Sequence, residues 1–315
     1  RNYTVAGHAF FNLIASAGYV FALVYGGILI YNGGEFGYGD LTAVLQLVNS
    51  VQMPFIALAS TFPKFFTMLS SAERLIEIEN IKEEDTENKK DGKELYDKMQ
   101  KIVFSNVTFS YGDVEDLKGL DFSVGKGEIV AITGHSGIGK STLLKLMLGV
   151  YPLSSGEIYF ETEKGKIQVG PSTRSIFAYV PQGNMIFSGS IRENLLFAAA
   201  KASEEDIDNA LKASAADEFV YSLDSGIDAK IGENGAGFSE GQIQRLAIAR
   251  AILSKAPVIL FDEATSALDE ITEKKILQNI KKLTSGTVFI VTHKKAALDV
   301  CDKKIKIIDK KAILY

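Results

Sequence analysis

The sequence predicts an α/β domain preceded by an all-α segment suited to a membrane. Three observations support this prediction. Two uncharged runs of helical length lie within the first 63 residues. A stretch dense in Lys, Glu and Asp follows at residues 82–98. From about residue 101 onward, short apolar strands alternate with glycine turns and amphipathic helices, which is the pattern of an α/β fold.

The two uncharged runs, at residues 9–31 and 41–63, are each 23 residues long. As helices they would span about 34 Å, enough to cross a bilayer core. A pair of buried helices in a soluble domain is the alternative, although two tandem runs of this length are uncommon there. Arg1 before the first run, and Lys64 and Arg74 after the second, place both outer flanks in the cytoplasm. Polar residues in the second run face either a solvated pathway or neighbouring helices.

Charge and cysteine content exclude some classes of function. The formal net charge is −5, so there is no overall basic field to attract nucleic acid, and no nucleic-acid partner is expected. The single cysteine, Cys301, excludes an intramolecular disulfide and cannot form a zinc site by itself. The length allows about two domains. The chain starts at Arg1 without an initiator Met, which suggests a piece of a longer protein.

A glycine-rich loop lies between a predicted strand at residues 129–133 and a predicted helix at 142–148. It matches G-x-x-x-x-G-K-[ST], the Walker A phosphate-binding loop, in the context that this motif requires. Glycines let backbone N–H groups turn toward phosphate oxygens, and the helix presents its positive end to the same anion. We expect Lys140 to reach the β- and γ-phosphates and Ser141 to bind Mg²⁺. The predicted nucleotide-binding residues here are Gly134, His135, Ser136, Gly137, Ile138, Gly139, Lys140, Ser141 and Thr142.

Two carboxylates follow an unbroken apolar run at residues 258–261, which predicts a central parallel strand. Ligand sites in such sheets lie at the carboxyl ends of the strands. We expect Asp262 to hold Mg²⁺ through water and Glu263 to polarise the attacking water. Two solvated acids in a turn are the alternative, which the presence of Lys140 disfavours. His293 ends another apolar strand, where it could reach a γ-phosphate, although a lone histidine is usually structural.

A second motif narrows the class of protein. The residues Phe238-Ser239-Glu240-Gly241-Gln242 and the helix after them resemble the ABC signature, usually written LSGGQ, with its QRxxxARA helix. Ser239 and Gln242 also predict a capping box, so a helix begins here. The resemblance implies an ABC ATPase fold, a P-loop NTPase with a mixed-sheet core, a helical subdomain and an antiparallel β subdomain. In that family Ser239, Glu240, Gly241 and Gln242 would close over the γ-phosphate bound by the other subunit.

The same resemblance implies roles for residues elsewhere in the chain. Tyr111 matches the aromatic residue that stacks on adenine, and Gln182 matches the Q-loop glutamine near magnesium. Ser266 and Asp269 match the D-loop, and His293 matches the switch histidine. The implied catalytic residues are therefore Glu263, His293 and Gln182, the implied Mg²⁺ ligands are Ser141, Gln182 and Asp262, and the cofactors are ATP and Mg²⁺.

Two positions of the signature depart from the family pattern. Phe238 replaces the usual Leu, and Glu240 replaces the first of two glycines. A carboxylate is favourable at a helix N-terminus, yet this one would also repel a γ-phosphate. We expect activity to survive because Ser239 and Gly241 are kept.

Tandem helices joined by one linker to an ATPase domain resemble an exporter-type half-transporter. The implied layout is a partial transmembrane domain at residues 1–78 with helices at about 9–31 and 41–70, a charged linker at 79–98, and an ABC ATP-binding domain at 99–315. Exporters of this kind have six membrane helices per subunit, and these two resemble the fifth and sixth. The implied location is the plasma membrane, multi-pass, with the ATP-binding domain in the cytoplasm.

The exporter resemblance implies that ATP hydrolysis moves a substrate across the membrane. Its partners would be lipid, the substrate and a second subunit, identical or related, arranged head to tail. An ABC ATPase of DNA repair would carry long coiled coils between Walker A and the signature, but Lys140 and Ser239 are fewer than a hundred residues apart. A module that uses ATP only as a switch would be favoured by the loss of Glu263 or His293, and both are present.

Overall fold

The computed structural model describes residues 2–33, 35–81, 83–84, 89–112, 114–183, 185–283 and 286–314, with side chains outside the description at 2–15, 59, 60, 234 and 283. The chain divides into two units, Arg1–Glu83 and Glu84–Tyr315. The first unit is helical and the second is an α/β domain, as the sequence predicts.

The first unit contains two helices, α1 (Asn2–Tyr31) and α2 (Tyr38–Glu79). At the start of α2, the N–H of Gly37 donates to the carboxylate of Asp40 at 2.8 Å, which caps the first turn. The 42 residues of α2 make it about 63 Å long. The predicted helix at 41–70 is therefore part of a longer helix that also includes the charged stretch after residue 70.

Among the residues that the structure describes, α2 is the one helix long and apolar enough to cross a membrane, and Ser16–Tyr31 is a shorter apolar stretch. The predicted span at 9–31 includes positions 9–15, whose side chains lie outside the described residues. Large apolar side chains of α2 are exposed, among them Leu58, Phe62 and Phe66.

The predicted linker at 79–98 lies partly outside the described residues, at Lys82 and 85–88. Its last part differs from the prediction of a solvated stretch, because Gly92–Lys98 forms a helix, α3, capped by the carboxylate of Asp91. Leu95 and Tyr96 are buried in the core of the second unit. Burial of these two side chains stabilises helix α3, while its charged side chains remain exposed to water.

The centre of the second unit is a six-stranded mixed sheet. Its strands β11, β3, β10, β9 and β6 are parallel in that order, and β12 pairs antiparallel with β11 at one edge. Every residue of β3, β9 and β10 is buried, because helices or a second sheet cover both faces. The strands are β3 (Ile129–Thr133), β6 (Phe177–Val180), β9 (Val258–Asp262), β10 (Thr287–Val291), β11 (Lys303–Ile308) and β12 (Lys311–Leu314).

A four-stranded antiparallel sheet, in the order β2–β1–β4–β5, shares one core with the mixed sheet and with helix α4 (Lys140–Met147). Phe104 and Phe160 of this sheet are buried in the same cluster as Leu143 of α4 and Phe289 of β10. This arrangement packs the helix that follows the phosphate loop between two sheets. The antiparallel strands are β1 (Met99–Tyr111), β2 (Val114–Gly125), β4 (Ser155–Thr162) and β5 (Gly165–Gln168).

Four of the remaining helices, those between residues 191 and 253, form a subdomain with its own core, in which Ile191, Leu211 and Leu246 are buried. The opposite side of α8 packs with α9 and α10 against the mixed sheet. Mixed sheet, antiparallel sheet and helical subdomain confirm the predicted ABC ATPase architecture. The elements are α5 (Ile191–Leu196), α6 (Glu204–Ala213), α7 (Asp217–Tyr221), α8 (Glu240–Leu253), α9 (Glu270–Leu283), α10 (Lys295–Leu298) and the short pair β7 (Gly189–Ser190) and β8 (Lys230–Ile231).

The close packing of α3 leads to a stability prediction. A Cβ at Gly92 would lie 2.4 Å from the carbonyl oxygen of Ser175, so Gly92→Ala forces one of the two backbones to move. Alanine favours helix by up to about 1 kcal/mol, but overpacking of this kind costs about 1–3 kcal/mol, so we expect a net loss. The unfolding temperature of the detergent-solubilised protein measures it. Gly170→Ala is the control, because its Cβ meets nothing within 4 Å. Equal stability of both variants would contradict the prediction.

Candidate functional site

The phosphate loop joins the end of β3 to the start of α4 and uses backbone conformations that favour glycine. Gly134 has φ +151°, Gly137 has φ +76° and Gly139 has φ +104°. A Cβ at Gly134 would lie 2.8 Å from the carbonyl oxygen of Ile307, and one at Gly139 would lie 2.7 Å from a methyl of Leu117. The backbone conformation disfavours a side chain at both glycines, and at Gly134 the backbone of Ile307 also leaves no space for one.

Lys140 lies at the first position of α4 and is only 5% exposed. Its Nζ donates to the carbonyl oxygens of Gly134 at 2.9 Å and His135 at 3.0 Å, so the ammonium sits inside the curve of the loop. The nearest carboxylate oxygen, Oε1 of Glu263, is 4.0 Å away. Of the other loop residues, His135, Ser136 and Gly137 are exposed, whereas Ile138 is buried and anchors the loop to the core.

Asp262, the last residue of β9, is 2% exposed and accepts two hydrogen bonds. Its Oδ1 accepts from the hydroxyl of Ser141 at 2.8 Å, and its Oδ2 accepts from the phenol of Tyr179 at 2.9 Å. Burial, together with the charge of Asp262, raises the pKa of Tyr179, so the phenol keeps its proton and remains a donor. The first helical turn of α4, the end of β9 and strand β6 thus meet at one carboxylate.

Glu263 follows directly and has a φ of +52°, a conformation that is uncommon for a residue with a Cβ. Its Oε2 accepts from the amide Nε2 of Gln182 at 3.0 Å, and its side chain is 32% exposed. This left-handed conformation ends the extended backbone of β9 directly after Asp262. The structure therefore brings together Glu263, Gln182 and Lys140, which are predicted site residues from three separate segments.

His293 lies beyond the end of β10, next to this group. The register pairs Val291 of β10 with Asp262 of β9, so His293 extends from the same edge of the sheet. The histidine is exposed, and within the described part of the chain its ring has no hydrogen-bond partner. The side chain is free to turn toward a ligand at the strand ends.

Tyr111, at the end of β1, belongs to a cluster of three aromatic rings. Its ring packs edge-to-face against Phe109, with centroids 4.7 Å apart, and against Tyr151, with centroids 5.2 Å apart. The side chain remains 42% exposed. Tyr111 is thus a braced aromatic ring with open surface, which is suited to stacking against a planar base.

The signature residues begin α8 and include the predicted capping box, which is confirmed. Ser239 Oγ accepts from the N–H of Gln242 at 3.3 Å, and the Gln242 side chain accepts from the N–H of Ser239 at 2.8 Å. Glu240 and Gly241 complete the first turn. Over the described residues, no hydrogen bond or ion pair joins positions 239–242 to the phosphate loop at 134–142.

The D-loop connects β9 to α9 beside the signature. Asp269 accepts from the N–H and the hydroxyl of Thr272 at 2.9 and 2.7 Å, and these bonds lower the pKa of its carboxyl group. Ser266 bonds to Gln244 of α8. Of the two predicted D-loop residues, Asp269 lines a surface depression together with Ser239 and Glu240 of the signature turn.

Comparison with known proteins identifies the class of domain. Residues 117–266 match the family model described as ABC transporter. The chain carries an ABC transporter ATP-binding domain. Nucleotide binding, with ATP as the nucleotide, follows from this assignment.

Relatives of this ABC domain extend the likeness across the chain. A probable ABC transporter ATP-binding/permease protein of Haemophilus influenzae is 34% identical over 310 residues, which are 98% of this chain and 54% of that protein. An ATP-dependent lipid A-core flippase of Aliivibrio fischeri is 34% identical over 270 residues, 84% of this chain and 46% of the flippase. The chain spans about half the length of the curated relatives it matches.

A solved structure shows the same architecture. A bacterial Atm1-family ABC exporter with ATP bound aligns with a TM-score of 0.69 and 28% identity, covering 97% of this chain and 54% of that one.

Three side chains of the ABC domain site were not predicted as site residues from the sequence. Tyr179 lies just before the Q-loop glutamine, Tyr151 belongs to no motif, and Lys294 is next to His293, which carries the motif signal. A signal existed for Tyr179, since a phenol three residues before Gln182 on a strand beside β9 faces the same strand end.

The position of Lys140 leads to a binding prediction. We expect Lys140→Ala to weaken ATP affinity by at least about tenfold, because a buried cation beside the phosphate oxygens is lost. Equilibrium titration with ATP measures this change. Lys145→Ala is the matched control on the same helix, because among the described residues the side chain of Lys145 has no hydrogen bond or ion pair. Unchanged affinity in Lys140→Ala would mean that the loop does not hold the phosphates.

Proposed function

We propose that the whole protein is an exporter-type ABC half-transporter in which this domain binds and hydrolyses ATP to move a substrate across a membrane. The observation that supports hydrolysis best is the group at the strand ends. Ser141 donates to Asp262, and Gln182 donates to the neighbouring Glu263. The Lys140 ammonium lies 4.0 Å from the Glu263 carboxylate. The names of the relatives, which describe ATP-binding/permease proteins and an exporter, support the transport part of the proposal.

Glu263 is the proposed general base. Its carboxylate is partly exposed, lies 4.0 Å from the Lys140 ammonium and is oriented by the amide of Gln182. A carboxylate in this position accepts a proton from water as that water attacks the γ-phosphate. Lys140 exchanges its loop carbonyls for phosphate oxygens and stabilises the charge that develops on them. His293 contacts the γ-phosphate from the end of β10.

The oxygen ligands at the loop fit Mg²⁺. The hydroxyl of Ser141 and a carboxylate oxygen of Asp262 are 2.8 Å apart, and Mg²⁺ is typically held by one or two such groups together with phosphate and water. Ser141 and Gln182 are the proposed direct ligands, and Asp262 acts through water. When bound, the ion supplies positive charge to the β- and γ-phosphates. Asp262 and Tyr179 keep the Ser141 hydroxyl in place for it.

A second ABC subunit, arranged head to tail, is proposed to complete each site. The N-termini of α4 and α8 can both bind one γ-phosphate, because each presents partial positive charge and N–H groups. In the described part of this chain the two segments are not bonded to each other. The signature turn of Ser239 to Gln242 would therefore act on the nucleotide of the partner. The partner is a second copy or a related subunit.

Residues 1–78 are proposed to be part of a transmembrane domain, 79–98 the linker, which ends in helix α3 packed on the α/β core, and 99–315 the ATP-binding domain. The length and composition of α2 support a membrane location, and its exposed apolar side chains would meet lipid or neighbouring helices. A multi-pass plasma-membrane protein with the ATP-binding domain in the cytoplasm is the layout we propose.

The role of Glu263 gives the first functional prediction. Glu263→Gln keeps the shape of the side chain but removes its charge and basicity. ATP binding should remain within about twofold, while hydrolysis falls by roughly a hundredfold or more, the scale of a lost general base. Phosphate release measured at saturating Mg-ATP, together with an ATP titration, tests both parts.

The control is Glu205→Gln, which removes an exposed carboxylate on α6 that makes no hydrogen bond or ion pair among the described residues. It should hydrolyse ATP at the wild-type rate. Near-normal turnover in Glu263→Gln would show that another group accepts the proton.

The shared site gives the second functional prediction. Lys140→Ala and Ser239→Arg are each expected to be inactive in the full-length homodimer. In a mixed dimer, one site has both lesions and the other has neither. Random pairing makes half of the dimers mixed, so activity should return to about a quarter of wild type if the sites act independently.

The ATPase rate of co-expressed, differently tagged subunits measures this recovery, and pull-down through both tags confirms mixing. Each parent mixed with itself is the control. Absence of recovery fits either a site within one chain or strictly coupled sites. Cysteines at Ser136 and Ser239 separate the two, because a disulfide formed only within one chain would contradict the shared site.

A further inference from the structure

The D-loop at residues 266–269, with Thr265 directly before it, is held from two sides. From α8, the buried amide of Gln244 donates to the hydroxyl of Ser266 at 3.0 Å and accepts from the N–H of Ala267 at 3.0 Å. This bond pair ties the loop to the signature helix. A second attachment comes from the segment that contains His293.

Lys294, the residue after His293, makes the second attachment. Its Nζ donates to the carbonyl oxygen of Thr265 at 2.7 Å and to that of Leu268. Its own N–H donates to the hydroxyl of Thr292 at 3.1 Å, which fixes the backbone on the other side of the histidine. One lysine therefore joins Thr265, directly before the D-loop, and Leu268 within it to the end of β10.

A buried carboxylate lies behind this lysine. Glu273 of α9 is fully buried, and its Oε1 accepts from the hydroxyl of Thr265 at 2.5 Å. Its Oε2 has no hydrogen-bond partner in the described part of the chain and lies 4.0 Å from Nζ of Lys294. Burial raises the pKa of Glu273, although the Thr265 hydroxyl and the Lys294 charge oppose that shift.

The distances show which interaction orients the lysine. A lysine that served only to neutralise Glu273 would be expected to form a hydrogen-bonded ion pair at about 2.8 Å. Here the short bonds of the ammonium go to the loop carbonyls, and the carboxylate is beyond hydrogen-bond distance. The negative charge of Glu273 stabilises the charged form of the part-buried lysine. The two carbonyl oxygens define where its ammonium lies.

We propose that Lys294 is a positioning residue that sets the D-loop relative to His293. This inference rests on the proposed function, because the relative position of the two segments affects turnover only if the domain hydrolyses ATP. Lys294 makes no hydrogen bond or ion pair, among the described residues, with Lys140, which is assigned to the phosphates, or with Ser141, which is assigned to Mg²⁺. Its effect is therefore on turnover rather than on nucleotide affinity.

The first experiment compares Lys294→Met, Lys294→Arg and Lys295→Met in the natural full-length protein. We expect Lys294→Met to lower kcat by about tenfold or more while the KM for ATP stays within about twofold. Lys294→Arg should recover part of kcat, because a guanidinium can still donate to two carbonyls. Lys295→Met is the matched control, since its exposed side chain has no hydrogen bond or ion pair among the described residues, and it should match wild type.

A double variant separates positioning from simple stability. Lys294→Met leaves Glu273 buried without its cation, and Lys294→Met with Glu273→Gln removes that charge as well. We expect the double variant to regain most of the lost melting temperature but not the lost kcat. Recovery of kcat in parallel with stability would overturn the positioning role.

Hydrogen exchange tests the geometry without any hydrolysis. The N–H of Ser266 donates to Glu263 O at 3.1 Å and that of Leu268 to Thr265 O at 3.2 Å, so both amides are protected in the loop as it stands. Without nucleotide, exchange at 266–268 should be at least about fivefold faster in Lys294→Met than in wild type or Lys295→Met. Unchanged exchange would overturn the inference. If exchange is faster in Lys294→Met as expected but the wild-type protein does not hydrolyse ATP, the proposed function is refuted and the attachment of the D-loop by Lys294 is not.

Discussion

The buried carboxylate of Asp262 is the interaction on which the site depends. An ionised carboxylate out of water is costly unless its oxygens are hydrogen-bonded. Here both oxygens are bonded, to a hydroxyl from α4 and a phenol from β6, and both donors reach it only if β6, β9, β10 and β3 keep their parallel order. The bonding of one side chain and the register of the sheet therefore stabilise each other. The phosphate loop, the Glu263 turn and the Q-loop glutamine are all placed by that register.

Much of this arrangement was predictable because it is local in the sequence. The phosphate loop, from Gly134 to Ser141, determines its conformation through its own glycines and the strand before it. The runs 129–133, 258–261 and 287–292 are apolar apart from threonines at their ends, which indicates parallel strands buried on both faces. The carboxyl ends of such strands share one edge of the sheet. The same reasoning predicts that Asp262 and His293 lie near the loop.

Other features depend on contacts between distant segments, and no local pattern reveals them. Tyr179 donates to a residue 83 positions away, and only the β6–β9 register makes that contact possible. Helix α3 was missed because two apolar residues among charged neighbours are too few for a periodic signal, although a core formed by other segments can accept them. Lys294 bonds to Thr265, which lies 29 positions earlier in the chain. In the sequence, Lys294 cannot be told from an ordinary surface lysine.

The two carbonyl bonds of Lys140 have a consequence for ligand discrimination. The loop itself gives this ammonium two backbone acceptors, so a ligand gains only the difference between its own oxygens and those carbonyls. A small monovalent anion such as chloride would replace the two carbonyl hydrogen bonds of Lys140 with one weaker contact, so its binding free energy is small. A polyphosphate brings several oxygens that engage the lysine, the backbone N–H groups and the helix end together. The loop thus rejects the abundant simple anions of its surroundings through competition from its own backbone, without any steric barrier.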